Sequence, residues 1–198
     1  MKQINTHFLA VLLATCISYN TIAQTDNVNI IKINPASLVV GSATLFYERQ
    51  VSDDASFQIG INFMPVPNKI FGPAFSCFGI TPECRIYLSS RSIEVPGGGY
   101  IAPFCRYRNL SMEIQGPDKN SLGNYSNIIV EDDQFAIGFV LGYQYITEKD
   151  YVFDFFAGPF SNSNYFHTSA GQPLNVDLGF LGNNGLGFRI GVAMGLAF

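Results

Sequence analysis

The chain has 198 residues, 47% of them hydrophobic and 13% charged, with 19 Gly, 18 Phe, 10 Tyr and no Trp. This composition excludes disorder, and the length allows one domain or at most two small ones. A net charge of −4 removes the basic footprint of a nucleic-acid binder, two histidines are too few for a multi-histidine metal site, and no apolar run approaches the ~18 residues of a spanning helix.

Residues 1–23 read as a secretory signal. Lys2 lies in a short charged region, residues 8–14 are apolar, and Thr21-Ile22-Ala23 supplies small residues at a cleavage point after Ala23. A competing reading is lipoprotein processing at Cys16, with Thr15 a poor match to the residue usual before the lipidated cysteine. Cleavage after Ala23 leaves residues 24–198 as one domain holding Cys77, Cys84 and Cys105, an odd set that permits at most one internal disulfide.

Beyond the signal the chain alternates with period two, which is the repeat of a strand and not of a helix. A short strand is expected over residues 27–34, ended by Pro35, and a second over 37–49. Others follow at Phe57, Ile59, Ile61 and Phe63; at Ile80, Cys84, Ile86 and Leu88; and at Ile101, Cys105 and Tyr107. The clearest is QFAIGFVLGYQYI at 134–146, followed by one through Tyr151, Phe153 and Phe155 and a last one from Phe188 to Phe198. The spacing therefore predicts eight strands.

Which face is wet is decided by the opposite residues. In the last strand these are Arg189, Gly191, Ala193, Gly195 and Ala197, too small and apolar for a soluble barrel's exterior. Small residues suit the crowded lumen of an eight-stranded barrel, and bulky ones suit lipid. The fold class expected is an all-β, eight-stranded antiparallel transmembrane β-barrel, with a periplasmic lipocalin-like carrier disfavoured. On this phase Glu48, Glu83, Arg85, Arg106, Arg108, Asp154 and Arg189 all point inward and form a lumen ion-pair network. A hairpin centred between residues 94 and 95 would place Glu83 opposite Arg106 and Cys84 opposite Cys105, with Cys77 in the preceding loop an equally available disulfide partner. Short links are expected at 50–54, 89–98 and 147–150, and long polar loops at 64–78, 110–133 and 161–185, so that every long loop lies at one end.

The alternating final strand ending in Phe198 resembles the small outer-membrane barrels of Gram-negative bacteria, of the OmpA transmembrane-domain or OmpX type. NPASLVVGSATLFYER, GGYIAPFCRYR and GFRIGVAMGLAF resemble more narrowly an uncharacterised barrel family of Bacteroidetes-type bacteria. The resemblance implies a cell outer-membrane location, contact with outer-membrane lipid and lipopolysaccharide, and Phe198 as an assembly signal read by the barrel-assembly machinery. It brings no catalytic residue and no cofactor, and its role is structural or in surface interaction through the loops, with an unspecified extracellular ligand.

Candidate chemistry is sparse. His167 and Ser169 share a strand face and are similar to the His-x-Ser element of outer-membrane lipid A deacylases, but Ala170 stands where that family carries Asn, and Asp177 is the only acid nearby. An ordinary polar loop is the expected reading. Glu131-Asp132-Asp133 reads as a solvated strand entry rather than a cation site, and Gly97-Gly98-Gly99 as the end of a turn. Tyr143, Tyr145, Tyr151 and Phe198 fall at strand ends, where an interfacial aromatic girdle would form. The rival functions are a lipid-modifying hydrolase and a narrow pore lined by the lumen charges.

Overall fold

The computed structural model describes residues 28–39, 41–68, 75–88, 96–117, 125–168 and 185–198. Strands β1 (Asn29–Ile33), β2 (Ala43–Gln50), β3 (Ala55–Asn68), β4 (Phe75–Tyr87), β5 (Gly98–Pro117), β6 (Tyr125–Ile146), β7 (Tyr151–Thr168) and β8 (Gly185–Ala197) pair in sequence order. All neighbours are antiparallel, and β1 pairs with β8 through Ile30–Ala197 to Ile33–Met194, which closes the barrel. The all-β, eight-stranded antiparallel barrel expected from the alternation is thus the architecture observed. Among the described residues no helix is long and apolar enough to cross a membrane.

Closure leaves no edge, so every strand must satisfy its backbone on both sides. Tight turns at 51–54 and 147–150 hold one end. There Thr147 N–H donates to Tyr151 O at 2.9 Å, and Asn29 and Phe198 exchange backbone bonds at 3.0 and 2.8 Å. The other end carries α1 (Pro35–Val39) and the connections β3–β4, β5–β6 and β7–β8.

Two expected boundaries are corrected at that far end. The second strand does not start at residue 37, because α1 occupies 35–39. Asn34 Oδ1 accepts from the N–H groups of Ala36 and Ser37 at 3.0 and 3.3 Å, Pro35 occupies the first helical position, and Gly41 takes a left-handed φ of 74° just past the end. These are the ordinary start and stop devices of a helix. The spans expected as loops are also partly strand: β5 and β6 stay paired out to Pro117–Tyr125, and β7 runs to Thr168. The backbone ladder continues there beyond the strands that the alternation marks.

The register of β4 on β5 also differs from expectation, by two residues. Glu83 faces Phe104 rather than Arg106, and Gly79 faces Arg108. Cys84 is therefore not opposite Cys105, and Cys77, Cys84 and Cys105 stand as thiols. Cys77 lies within β4 and not in a loop. The signal segment, with Cys16 and the cleavage point at Ala23, lies outside the described residues.

The inward face is a packed core. Phe46, Tyr87, Tyr100, Ala102, Phe104, Val140, Phe156 and Ala193 form its buried apolar cluster. The glycines of the small face are receptors for these rings: a methyl at Gly60 would strike Phe46, at Gly142 Tyr100, and at Gly191 Phe156. Small and large residues thus alternate around the lumen because the interior of an eight-stranded barrel is just wide enough for side chains to fill.

Candidate functional site

The turn end of the lumen holds a cluster of charges with almost no access to water. Lys32, Glu48, Arg85 and Asp154 are each 0% exposed and Glu83 is 2% exposed. Every one reaches the interior for the same reason: it occupies the inward phase of its strand, beside outward neighbours such as Ile31, Tyr47 and Phe153.

Lys32 Nζ donates to Glu48 Oε2 at 2.6 Å, Asp154 Oδ2 at 2.9 Å and Gln144 Oε1 at 2.7 Å. Arg85 spans the lumen. It donates to Glu83 Oε1 from Nη2 at 2.6 Å, and from Nη1 to Asp154 at 2.8 Å, Gln144 at 3.1 Å and Glu48 at 3.3 Å. Arg189 donates to Glu83 Oε2 at 2.7 Å. Neutral donors complete the carboxylates: Tyr87 and Ser56 hydroxyls to Glu48 Oε1, Tyr100 hydroxyl to Asp154 Oδ1 at 2.7 Å, and Gln58 to Glu83 at 2.5 Å. Three cations thus face three carboxylates, and every carboxylate oxygen accepts at least one hydrogen bond. Such closure is what a low-dielectric interior requires, since a buried charge without a partner is far costlier than a satisfied network.

Above this cluster lies a ring layer bridged by guanidinium groups. Arg189 stacks on Phe104 and Phe156 at 4.7 and 4.6 Å, Arg85 on Tyr100 at 4.4 Å, and Arg106 on Phe160 at 4.6 Å. Beyond the rings the lumen turns polar again. Arg108 donates to Gln134 Oε1, Gln134 donates to Asp132 Oδ2 at 2.6 Å, and Asn164 reaches the same oxygen at 3.3 Å.

The seven charges read from the sequence all occupy inward positions, but in two groups. Glu48, Glu83, Arg85, Asp154 and Arg189 meet in the lower cluster, whereas Arg106 and Arg108 lie above the rings and form no salt bridge with them. The expected pair of Glu83 with Arg106 is replaced by Glu83 with Arg85 and Arg189. Lys32 is the residue the sequence reading missed. Its signal was present in the alternation of Ile31, Lys32 and Ile33, where a lone cation interrupts a strand's apolar residues at the opposite phase.

Glu131, Asp132 and Asp133 are not a strand entry but sit well inside β6. Successive strand residues face opposite sides, so Asp132 is buried in the lumen while Glu131 is exposed outside and Asp133 accepts from Tyr107 and Asn109 at 2.7 and 2.9 Å. The three carboxylates therefore cannot converge on one ion. His167 lies in β7 opposite Glu131; Ser169, Ala170 and Asp177 lie outside the described residues. Gly98 begins β5 with a φ of 93°, and Gly99 follows it in the strand.

The architecture defines a closed eight-stranded antiparallel barrel with a filled lumen, a charge-balanced cluster at its turn end and an apolar exterior, a form consistent with the small outer-membrane barrel fold. Comparison with protein-family models, with curated proteins and with solved structures gives no match.

Proposed function

We propose that the protein is an integral outer-membrane barrel of the OmpA transmembrane-domain or OmpX type, with a structural or cell-surface interaction role and no enzymatic activity. The observation that carries this reading is the inversion of the fold. Large apolar side chains are exposed on all eight strands, among them Ile31, Leu45, Ile61, Phe78, Tyr107, Ile137, Leu141, Phe155 and Ile190, while the charges of the lower cluster are buried. A monomer in water seldom exposes more than a few hundred Å² of contiguous apolar surface, whereas lipid demands this arrangement.

Tyr143, Tyr145, Tyr151 and Phe198 are all about half exposed or more and cluster at the turn end, which suits an interfacial girdle on the periplasmic side. Outer-membrane lipid and lipopolysaccharide would then surround the wall, and the barrel-assembly machinery would read the strand that ends in Phe198. The far end, with its extended β5–β6 ribbon, would face outward and present the surface for a partner, because loops and ribbons on a rigid scaffold are where recognition resides. The filled lumen supports this reading over a pore: Arg85 on β4 reaches Asp154 on β7 and Lys32 on β1 reaches Gln144 on β6, so ion passage would require breaking the network.

Membrane fractionation combined with gel mobility before and after heating tests the reading. Outer-membrane recovery with heat-modifiable mobility is the expected result; recovery in the soluble periplasmic fraction with no mobility change would overturn it.

A further inference from the structure

The two ends of the lumen differ in charge balance. In the lower cluster Lys32, Arg85 and Arg189 are matched by Glu48, Glu83 and Asp154. Above the ring layer the inward charges among the described residues are Arg106, Arg108 and Asp132, two cations to one carboxylate. Arg108 engages Gln134, and Asp132 lies within its electrostatic reach.

Arg106 carries the excess. Its guanidinium lies over the Phe160 ring at 4.6 Å, and across the β5–β6 ladder it faces Ala136, which offers only a methyl. Among the described residues no carboxylate, amide or hydroxyl accepts from it, and the guanidinium groups that act on it, those of Arg108 and Arg189, both repel it. A guanidinium has five donors in a fixed fork and cannot shed its proton in a protein, so it calls for an acceptor in its own plane. The Phe160 ring offers its π face and no lone-pair acceptor. Arg106 is partly accessible, and it lies on the far side of the rings from the sealed cluster, toward the end that bears the long connections.

The geometry points to a seat for one small oxyanion in the upper lumen, held by the Arg106 fork and favoured by the positive field of Arg108. The ligand class is a carboxylate or phosphate group, whose paired oxygens match a guanidinium fork. The seat is closed from below by Phe104, Phe156 and Phe160, which separate it from Glu48, Glu83 and Asp154, while Asp132, the carboxylate on its own side, lies within reach of Arg108. It concerns the lumen alone and does not depend on what covers the outer wall.

Calorimetric titration of the folded, detergent-solubilised protein with inorganic phosphate, at constant ionic strength, tests the seat. The expected result is a saturable heat with one phosphate per barrel, weakened by about tenfold or more in Arg106→Gln. Arg106→Lys, which keeps the charge and loses the fork, should also bind more weakly, while Arg49→Gln, on the outer face, should bind as the unaltered protein does. Heat-modifiable mobility of each variant establishes that it is folded before titration. Absence of a saturable heat in the unaltered protein, or undiminished affinity in folded Arg106→Gln or Arg106→Lys, would overturn the assignment.

Discussion

Arg85 and Arg106 show how differently two inward arginines can matter. Arg85 has no contact with solvent and bonds to all three carboxylates of the lower cluster. Arg85→Leu would leave Glu48, Glu83 and Asp154 with two cations, and breaking a buried network of this kind costs about 3–5 kcal/mol. Its unfolding midpoint in detergent should fall accordingly. Arg106→Leu removes a cation that two other guanidinium groups repel and that pairs with none of these carboxylates, so its midpoint should stay level or rise. The sequence places both residues inward but cannot rank them. The ranking depends on a two-residue choice of register between β4 and β5, which preserves the face of every side chain while changing its partner. Lys32 was overlooked for a related reason: in a strand of five residues, two turns of alternation are too few to separate an inward cation from one at a strand end.

At the scale of the element, the closest strand contacts are set by glycine. Gly138 and Gly158 face each other's strands around Pro159, where a side chain at Gly158 would overlap the backbone of Phe139 and Val140. Pro159 has no N–H to give the ladder, and the pairing between β6 and β7 lapses there, from Gly138–Phe160 to Leu141–Ala157. Gly158→Val should therefore force β6 and β7 apart and cost about 1–3 kcal/mol, as overpacking usually does. A lower temperature for loss of the compact gel band would show it, and an unchanged temperature would mean that the strands yield freely. In α1, Asn34→Ala removes the cap over Ala36 and Ser37 and should cost about 1 kcal/mol. The sequence reads here as the end of one strand and the start of the next, because its apolar run also suits a strand and five residues give too little periodicity to choose. The far ends of β5, β6 and β7 were illegible for the opposite reason. Their pairing is held by backbone bonds that no side-chain pattern reports.

Taken whole, the molecule is legible where the lumen and the wall differ in kind. The faces of β8 are read from Gly and Ala set against Phe, Ile and Leu, and the ring of Phe156 over Gly191, like that of Tyr100 over Gly142 in β6, supplies the physical reason for that contrast. Deleting Phe198 removes the two backbone bonds with Asn29 that tie β8 to β1 at the closing seam; under the proposed function it should reduce outer-membrane levels while export continues, as read by fractionation. The central claim is that lipid and not water meets the outer face. Because the chain has no tryptophan, a single one introduced by Phe139→Trp on the wall, or by Phe104→Trp in the lumen, reports its own surroundings in vesicles of brominated lipid. The account predicts strong quenching at position 139 and little at position 104. Quenching by an aqueous quencher but not by brominated chains at position 139 would contradict it.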